Sequence, residues 1–440
     1  MKVGRTPRSK DDQHAAYKRV THRQWAVEMT FGVTGSALTP TQPVRLIPVI
    51  LICTAVAFLE GFDILSISIA APQIATQLGI HHSQMGEIFA IGQAGMVLGA
   101  LIGGGAGDRF GRRNIVIAGA LFFGVFSLST ILTTSALTIE AARAFTGVGI
   151  GMALPNLINL AVEYAPDRHR GALVSVVLAG QSAGGVVVAL LGASFLAAWG
   201  WKSLFYIGGL APLVLLPALM LLPRQRPRAG RREAFDGKKA IQAVFGEQRG
   251  VTTLLLWTSI LLTAAVLYMM VTWLPSLLTE RGYSAPVSHL SSAMFSGGSC
   301  IGALVTGYLV DRLGYPTVLP ALYGGVLVGI CGVLFAHQPT LILGGALILG
   351  LFVGGSFYSL NGVSPLYYPG PFRGLGAGAA VGFGRIGSII GPLAAGSVLQ
   401  TGIGSFPPGP AAIPPVAIPL CVLAGFIVFL LTRRAPASAV

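Results

Sequence analysis

Long apolar segments separated by short polar connections fill the chain from residue 46 to residue 432. A helix that crosses the hydrocarbon core of a bilayer needs about 20 mostly apolar residues. The segments that meet this requirement are 46–73, 85–107, 114–133, 136–162, 171–197, 202–222, 251–279, 288–310, 316–335, 339–364, 374–400 and 412–432. The pattern therefore predicts an all-α membrane protein with twelve transmembrane helices.

The second half of the chain repeats the first half at a constant offset of 203 residues. The repeat includes charged and turn positions, which apolar composition alone does not explain. Matching pairs are Pro72 with Pro275, Gly104 with Gly307, Asp108 with Asp311, Arg109 with Arg312, Gly147 with Gly350, and Pro166 with Pro369. The chain is therefore predicted to contain two parallel six-helix repeats, which place a ligand site near the bilayer midplane between the halves.

The repeat also sets the domain boundaries. We expect an N-terminal six-helix half over 46–222 and a C-terminal six-helix half over 251–432. A basic tail over 1–45, a linker over 223–250 and a short tail over 433–440 complete the chain. The first of these tails is polar and has no apolar core of a cleavable signal.

Composition and charge support a membrane protein, with 53% hydrophobic and 10% charged residues. A net charge of +14 could indicate nucleic-acid binding, but 25 of the 29 Lys and Arg residues fall in the segments on one side of the predicted spans. The positive-inside rule then places both termini in the cytoplasm. We expect a multi-pass protein of a bacterial inner membrane with the lipid bilayer, rather than nucleic acid, as its partner.

Two carboxylates interrupt the first span. Glu60 and Asp63 lie three residues apart and so on one helical face. Hydrocarbon penalises each central charge by roughly 2.5–3.5 kcal/mol, so both side chains are expected to face a polar interior. Asp63 is either a proton carrier or a permanent ionic partner of an arginine that holds two helices together. Glu60 shares these alternatives.

Two arginines lie within other spans. Arg385 is twelve residues from the start of the eleventh span, a depth of roughly 18 Å. It is either a clamp for a substrate carboxylate, which a guanidinium suits, or a charge that balances Asp63 or Glu60. Arg143, in the fourth span, is a second anion-attracting charge, a proton-coupling partner or a structural partner of Glu140, one turn away.

The connection between the second and third spans reads GGGAGDRFGRRN, and a weaker copy, GYLVDRLGYP, occupies the same place in the second half. The first sequence resembles the signature loop of the major facilitator superfamily, in which this loop is a conformational latch. The resemblance, together with positions at helix ends, implies a cytoplasmic gate. Its expected members are Asp108, Arg112, Glu163, Arg170, Asp311 and Arg373.

Further motifs resemble one branch of that superfamily, the aromatic acid:proton symporters. The first span carries Glu60-Gly-Phe-Asp63 where the branch has Asp-Gly-x-Asp, and the eleventh span reads FRGLGAGAAVGFGRIGSIIGP. The resemblance implies import of a small aromatic carboxylate of the hydroxybenzoate, benzoate or protocatechuate class, coupled to protons by alternating access. It implies a monomer driven by the proton gradient, without a cofactor. Glu60 departs from the usual Asp, and this departure leaves substrate identity open.

A binding site for an aromatic acid needs a flat apolar pocket that also contains a polar group. Tyr268 and Phe383 are the candidates for contact with the ring, although packing between helices is the alternative for each. Gln181 is a further candidate because Gly384 is its repeat counterpart, next to Arg385. We expect His82 and the other loop histidines to be solvated turn residues.

Two other functions remain open. One is a proton-coupled exporter of organic acids or drugs, and the other is a membrane sensor that binds an acid without moving it. An enzyme is not expected, because the sequence contains no nucleophile–base set, phosphate loop or metal cluster. The four cysteines all lie in apolar spans without metal-ligand spacing, which is typical of small buried side chains.

Overall fold

A computed structural model describes residues 46–166, 170–223, 242, 244–246, 249–369 and 372–434, with the backbone alone for 170–172. The predicted N-terminal tail and most of the predicted linker and C-terminal tail lie outside these residues. Twelve of the described helices are long and apolar enough to cross a membrane, which confirms the predicted fold class. One isolated β-bridge, Ile403 with Phe406, lies in the loop before the last helix.

The twelve helices alternate in direction along the chain. The N-terminal half contains α1 Leu46–Leu78, α2 His82–Phe110, α3 Arg112–Ser129, α4 Ala136–Tyr164, α5 Arg170–Trp199 and α6 Lys202–Leu219. The C-terminal half contains α7 Gly250–Glu280, α8 Ala285–Leu313, α9 Tyr315–Phe335, α10 Pro339–Val363, α11 Arg373–Thr401 and α12 Pro414–Thr432.

Most boundaries agree with the predicted spans to within a few residues, but α1 continues five residues beyond the expected end, to Leu78. Pro72 lies inside this helix and does not end it. The Thr76 hydroxyl donates to the Pro72 carbonyl at 2.9 Å. Transmembrane helices tolerate proline because neighbouring Ser and Thr side chains and local adjustments satisfy freed backbone groups.

The repeated glycines make the same helix contact in both halves. A Cβ atom at Gly99 would clash with the carbonyl oxygen of Val148, which brings α2 and α4 into close contact. A Cβ atom at Gly302 would clash with the carbonyl oxygen of Leu351, between α8 and α10. Val148 and Leu351 are themselves 203 residues apart. The sequence repeat is therefore also a repeat of helix packing, with small residues permitting close approach.

The two halves meet through α1 with α7, α2 with α11, and α5 with α8. The Ser68 hydroxyl donates to the carbonyl oxygen of Thr272 at 2.6 Å, and the backbone N–H of His82 donates to Gln400 Oε1 at 3.2 Å. These bonds lie towards the membrane side opposite the start of α1 and the end of α12, which we call the distal side. The halves are thus joined at the distal side.

His82 differs from the expectation of a solvated turn residue. It is the first residue of α2, and its Nε2 atom lies 2.8 Å from Glu280 Oε1 at the end of α7. The expectation failed because the partner comes from the other half of the chain, where local sequence gives no signal. His82 is part of the contact that joins the halves at the distal side.

Candidate functional site

Asp63 and Arg143 form a buried ion pair inside the N-terminal half. Arg143 Nη2 donates to Asp63 Oδ2 at 2.8 Å, and the Ser127 hydroxyl donates to the other carboxylate oxygen. The exposed fractions are 0% for Asp63 and 4% for Arg143. The Arg143 guanidinium also lies over the Phe205 ring, 5.9 Å from its centroid. Helices α1, α3, α4 and α6 therefore converge on one desolvated charge pair.

This geometry decides which residue pairs with Arg143. The sequence named Glu140 as the structural alternative for Arg143 and left the arginine partner of Asp63 open, and the structure pairs Arg143 with Asp63. Glu140 instead lies close enough to Glu87 for their charges to interact. The state described by the structure thus matches the arginine-paired alternative for Asp63, and proton carriage by the same carboxylate requires that this pair be broken.

Glu60 lies one turn from Asp63 but has different surroundings. Its side chain is fully buried, and neither carboxylate oxygen has a hydrogen-bond partner among the described residues. Cys53, two turns earlier on the same helix, lies near enough to sense its charge. Burial of an unpaired polar group costs free energy in any protonation state. The burial of Glu60 therefore costs stability, and the packing of the helices alone does not explain why a carboxyl group lies there.

Gly61, between the two acids, permits close packing of α5 against α1. A Cβ atom at Gly61 would clash with the carbonyl oxygen of Gln181. The side chain of Gln181 is half-buried, and Ser182 follows it on α5. The candidate Gln181 is thus positioned by a backbone contact next to the acid-bearing segment of α1.

Arg385 lies in the C-terminal half, in a cluster with two tyrosines. Its Nη1 atom donates to the Tyr268 hydroxyl at 3.3 Å, and Tyr358 of α10 lies close to both side chains. The Tyr358 hydroxyl also lies close to the side chain of Ser182, which belongs to the other half. Arg385 and both tyrosines are partly exposed although they lie well inside their helices. This cluster therefore joins the halves near the middle of the spans.

Phe383 packs with a different set of aromatic side chains, outside the Arg385 cluster. Its ring lies 5.1 Å from the Trp257 ring, and Trp257 Nε1 donates to the Tyr368 hydroxyl at 3.0 Å. Residues two apart on a helix point about 200° apart, so Phe383 and Arg385 face different neighbours. Contact between Phe383 and a bound ring remains a prediction.

The gate candidates lie at the membrane side that carries the start of α1. Arg112 Nη1 lies 3.3 Å from Glu163 Oε2 and donates to the Asn159 carbonyl at 3.1 Å, which joins α3 to α4. Asp108 and Asp311 lie in the last turns of α2 and α8, Arg373 begins α11, and the side chain of Arg170 lies outside the described residues. Their role as a gate remains a prediction.

Sequence reasoning missed Ser127, Tyr358 and Ser182 as site residues. One signal could have found Ser182, because it is the repeat counterpart of Arg385. The others carry no motif, and only the packing of helices that are distant in sequence brings them to the charged groups.

Comparison with known proteins places the chain in a family. The profile of the Major Facilitator Superfamily matches residues 53–392 and also 279–440. The chain is 37% identical to the 3-(3-hydroxy-phenyl)propionate transporter of Escherichia coli K12, over 89% of this chain and 95% of that protein. It is 30% identical to the gallate transporter of Pseudomonas putida, over 81% and 86%. The 4-hydroxybenzoate transporter of Pseudomonas aeruginosa is 28% identical, over 80% and 86%.

Solved structures share the fold. A D-xylose-proton symporter superposes with a TM-score of 0.68 at 17% identity, covering 89% of this chain and 97% of that one. A bacterial homologue of the human lysosomal transporter spinster, in an inward-facing and occupied conformation, gives 0.70 at 18% identity, covering 90% and 98%. The profile match and the relative at 37% identity show that the chain belongs to the Major Facilitator Superfamily of membrane transporters and is not an enzyme.

Proposed function

We propose that this transporter is a proton-coupled symporter that imports a small aromatic carboxylate across a bacterial inner membrane by alternating access. The relatives named for hydroxyphenylpropionate, gallate and 4-hydroxybenzoate transport support the substrate class. Under the positive-inside rule the distal side is periplasmic. The described state, joined at the distal side, is then closed towards the periplasm. We propose that the transporter acts as a monomer and needs no cofactor beyond the proton gradient.

The observation that carries the proposal is the environment of Arg385. Within the described part of the chain, no carboxylate lies within 4.0 Å of its guanidinium. Its one described partner is a tyrosine hydroxyl at 3.3 Å, a long hydrogen bond. A partly exposed guanidinium with spare donors at mid-membrane depth suits a bidentate carboxylate ligand. The adjoining rings of Tyr268 and Tyr358 supply flat apolar surface with polar edges.

The proton-coupling step is assigned to the N-terminal half. When Asp63 takes up a proton, its oxygen no longer carries the charge that holds Arg143, and the constraint between α1 and α4 weakens. Glu60 offers a second carboxyl group one turn away. In this proposal Asp63 exchanges Arg143 for a proton, whereas Arg385 stays available for the substrate.

The test is uptake of labelled 4-hydroxybenzoate, gallate and 3-(3-hydroxyphenyl)propionate into liposomes that contain the purified protein. We expect accumulation under an inward proton gradient and its loss when a protonophore dissipates the gradient. Efflux of the labelled acid from loaded liposomes in exchange for protons would support an exporter. Binding of the acid without flux would support a sensor. Absence of flux for any aromatic acid would reject the proposal.

Asp63→Asn separates proton coupling from transport as such. We expect the variant to retain exchange of labelled for unlabelled acid at equal pH but to lose accumulation driven by the gradient. Glu140→Gln is the matched control, because that carboxyl group lies one turn from Arg143 but does not pair with it. Equal loss of coupling in both variants would argue against a specific role for Asp63.

A further inference from the structure

A small cavity lies beside the Asp63–Arg143 pair, on the side that faces the other half. Its volume is about 20 Å³. Its walls come from α1, α2 and α4 of the N-terminal half, and Thr272 of α7 adds a wall from the C-terminal half. A cavity needs about 10–15 Å³ on this measure to hold a water molecule. The space therefore suits one water molecule and no larger ligand.

Two buried polar atoms at this cavity have no hydrogen-bond partner among the described residues. They are the acceptor Oε1 of Gln93 and the donor Nη1 of Arg143. The exposed fractions of the two side chains are 6% and 4%. Leaving such an atom unsatisfied costs about 1–3 kcal/mol, and more for a charged group. One atom lacks a donor and the other lacks an acceptor, so a single molecule that is both would satisfy them together.

We infer that this cavity binds one ordered water molecule, which accepts a hydrogen bond from Arg143 Nη1 and donates one to Gln93 Oε1. Thr272 offers a third contact: its hydroxyl donates to the Tyr268 carbonyl at 2.7 Å, which leaves its oxygen lone pairs as acceptors. Three partners is the usual number for a buried water.

The role of this water rests on the proposed function. When Asp63 takes up a proton, Arg143 loses its anionic partner, and the water, held by Gln93 Oε1, still accepts a hydrogen bond from Arg143 Nη1. The water therefore lowers the free energy of the state in which Asp63 is protonated. Because Thr272 belongs to the other half, separation of the halves at the distal side would remove one wall and let this water exchange with the outside.

The charged groups around Arg143 are few. Asp63 faces it from α1, with Glu60 one turn further along the same helix. Glu87 of α2 and Glu140 of α4 lie near each other towards the distal ends of their helices. Helices α3 and α6 contribute the neutral Ser127 and Phe205, and α7 contributes Thr272. Removing the water thus changes the surroundings of one ion pair without removing a charge.

Gly92→Ala tests the site by filling it. Gly92 lines the cavity, and the nearest atoms to a Cβ there are the Arg143 carbonyl oxygen at 3.8 Å and Cβ at 3.9 Å, so the methyl group fits without a clash. Gly105→Ala is the matched control, because it lies on the same helix and its Cβ would meet nothing within 4 Å. Gln93→Met removes the acceptor and keeps a similar side-chain length. It provides a second test of the site if Gly92→Ala does not fold.

The first measurement is the electron density at the cavity in crystals of the wild-type protein, Gly92→Ala and Gly105→Ala, at a resolution that shows ordered water. We expect one peak within hydrogen-bond distance of Gln93 Oε1 and Arg143 Nη1, absent in Gly92→Ala and present in Gly105→Ala. A wild-type cavity without such a peak would overturn the site. This result does not depend on transport, so it stands or falls separately from the proposed function.

The second measurement is the pH profile of proton-driven uptake. Without the water, protonation of Asp63 leaves Arg143 unsatisfied, so we expect Gly92→Ala and Gln93→Met to shift the profile to lower pH by about one unit. Gly324→Ala on α9, an exposed position where a Cβ would meet nothing within 4 Å, should keep the wild-type profile. Unchanged profiles in both cavity variants would overturn the role of the water. A wild-type protein that moves no aromatic acid would instead reject the proposed function.

Discussion

The two halves of the molecule share their helix packing but differ in the chemistry of their cores. At the offset of 203 residues, Val266, Ala346 and Ile330 occupy the positions of Asp63, Arg143 and Ser127. All three are buried, as are their charged or polar counterparts. The C-terminal half therefore builds the same bundle with apolar side chains. A buried ion pair is often no better for stability than apolar residues of similar size, so the architecture does not require this pair.

At the cluster around Arg385 the difference is reversed, because there the C-terminal half carries the charged group. Arg385 and Tyr268 of the C-terminal half correspond to Ser182 and Leu65 of the N-terminal half. One half thus carries a closed acid–arginine pair, and the other carries an arginine with a tyrosine hydroxyl as its described partner. This division suits the proposed symport cycle, with proton uptake in one half and anion binding in the other.

The largest expected effect comes from breaking the ion pair on one side. Asp63→Val leaves Arg143 buried without its anion, which should destabilise the protein by about 3–5 kcal/mol. The double variant Asp63→Val/Arg143→Ala copies the residues of the C-terminal half. It should recover most of the thermal stability in detergent but show no proton-driven uptake. A double variant as unstable as the single one would show that the N-terminal half does need the pair.

Arg385→Ala tests the substrate side of the comparison. Loss of charge-assisted hydrogen bonds should weaken the binding of 4-hydroxybenzoate by about 2–3 kcal/mol, or roughly 30- to 160-fold. Calorimetric titration measures this change. Arg385→Lys, which keeps the charge but loses the planar fork, should fall between the wild type and the alanine variant. Unchanged affinity in Arg385→Ala would place the carboxylate elsewhere.

Gly99→Ala and Gly302→Ala test the shared packing. Each added methyl group meets a carbonyl oxygen of the neighbouring helix, so each should lower stability by about 1–3 kcal/mol and by similar amounts. Thermal unfolding compares the two variants, with Gly105→Ala as the tolerated control. A large difference between them would mean that the repeated sequence does not carry equivalent packing.

Tyr268→Phe should have the smallest effect. It removes the hydroxyl that orients Arg385 and that can donate to a bound carboxylate, so affinity for 4-hydroxybenzoate should fall by about 0.5–1.5 kcal/mol, or roughly 2- to 10-fold. Tyr323→Phe is the matched control, because that buried hydroxyl bonds Thr263 of the same half. An equal loss of affinity in Tyr323→Phe would indicate a general packing effect.

The sequence by itself determined the twelve spans, the two parallel halves and the candidate charges, because each leaves a local signal. A membrane span needs a long apolar run, a repeat preserves glycines and charged turns, and a charge in hydrocarbon stands out at once. The motif around Glu60 and Asp63, together with the eleventh span, pointed to a transporter of aromatic acids through its resemblance to one branch of the superfamily.

Only the tertiary structure decided which charges meet. It paired Asp63 with Arg143 rather than with Arg385, placed Phe383 on Trp257, and brought His82 to Glu280. These contacts join residues far apart in the chain. The side of a helix that faces a given neighbour depends on how all twelve pack, and no segment encodes that packing alone.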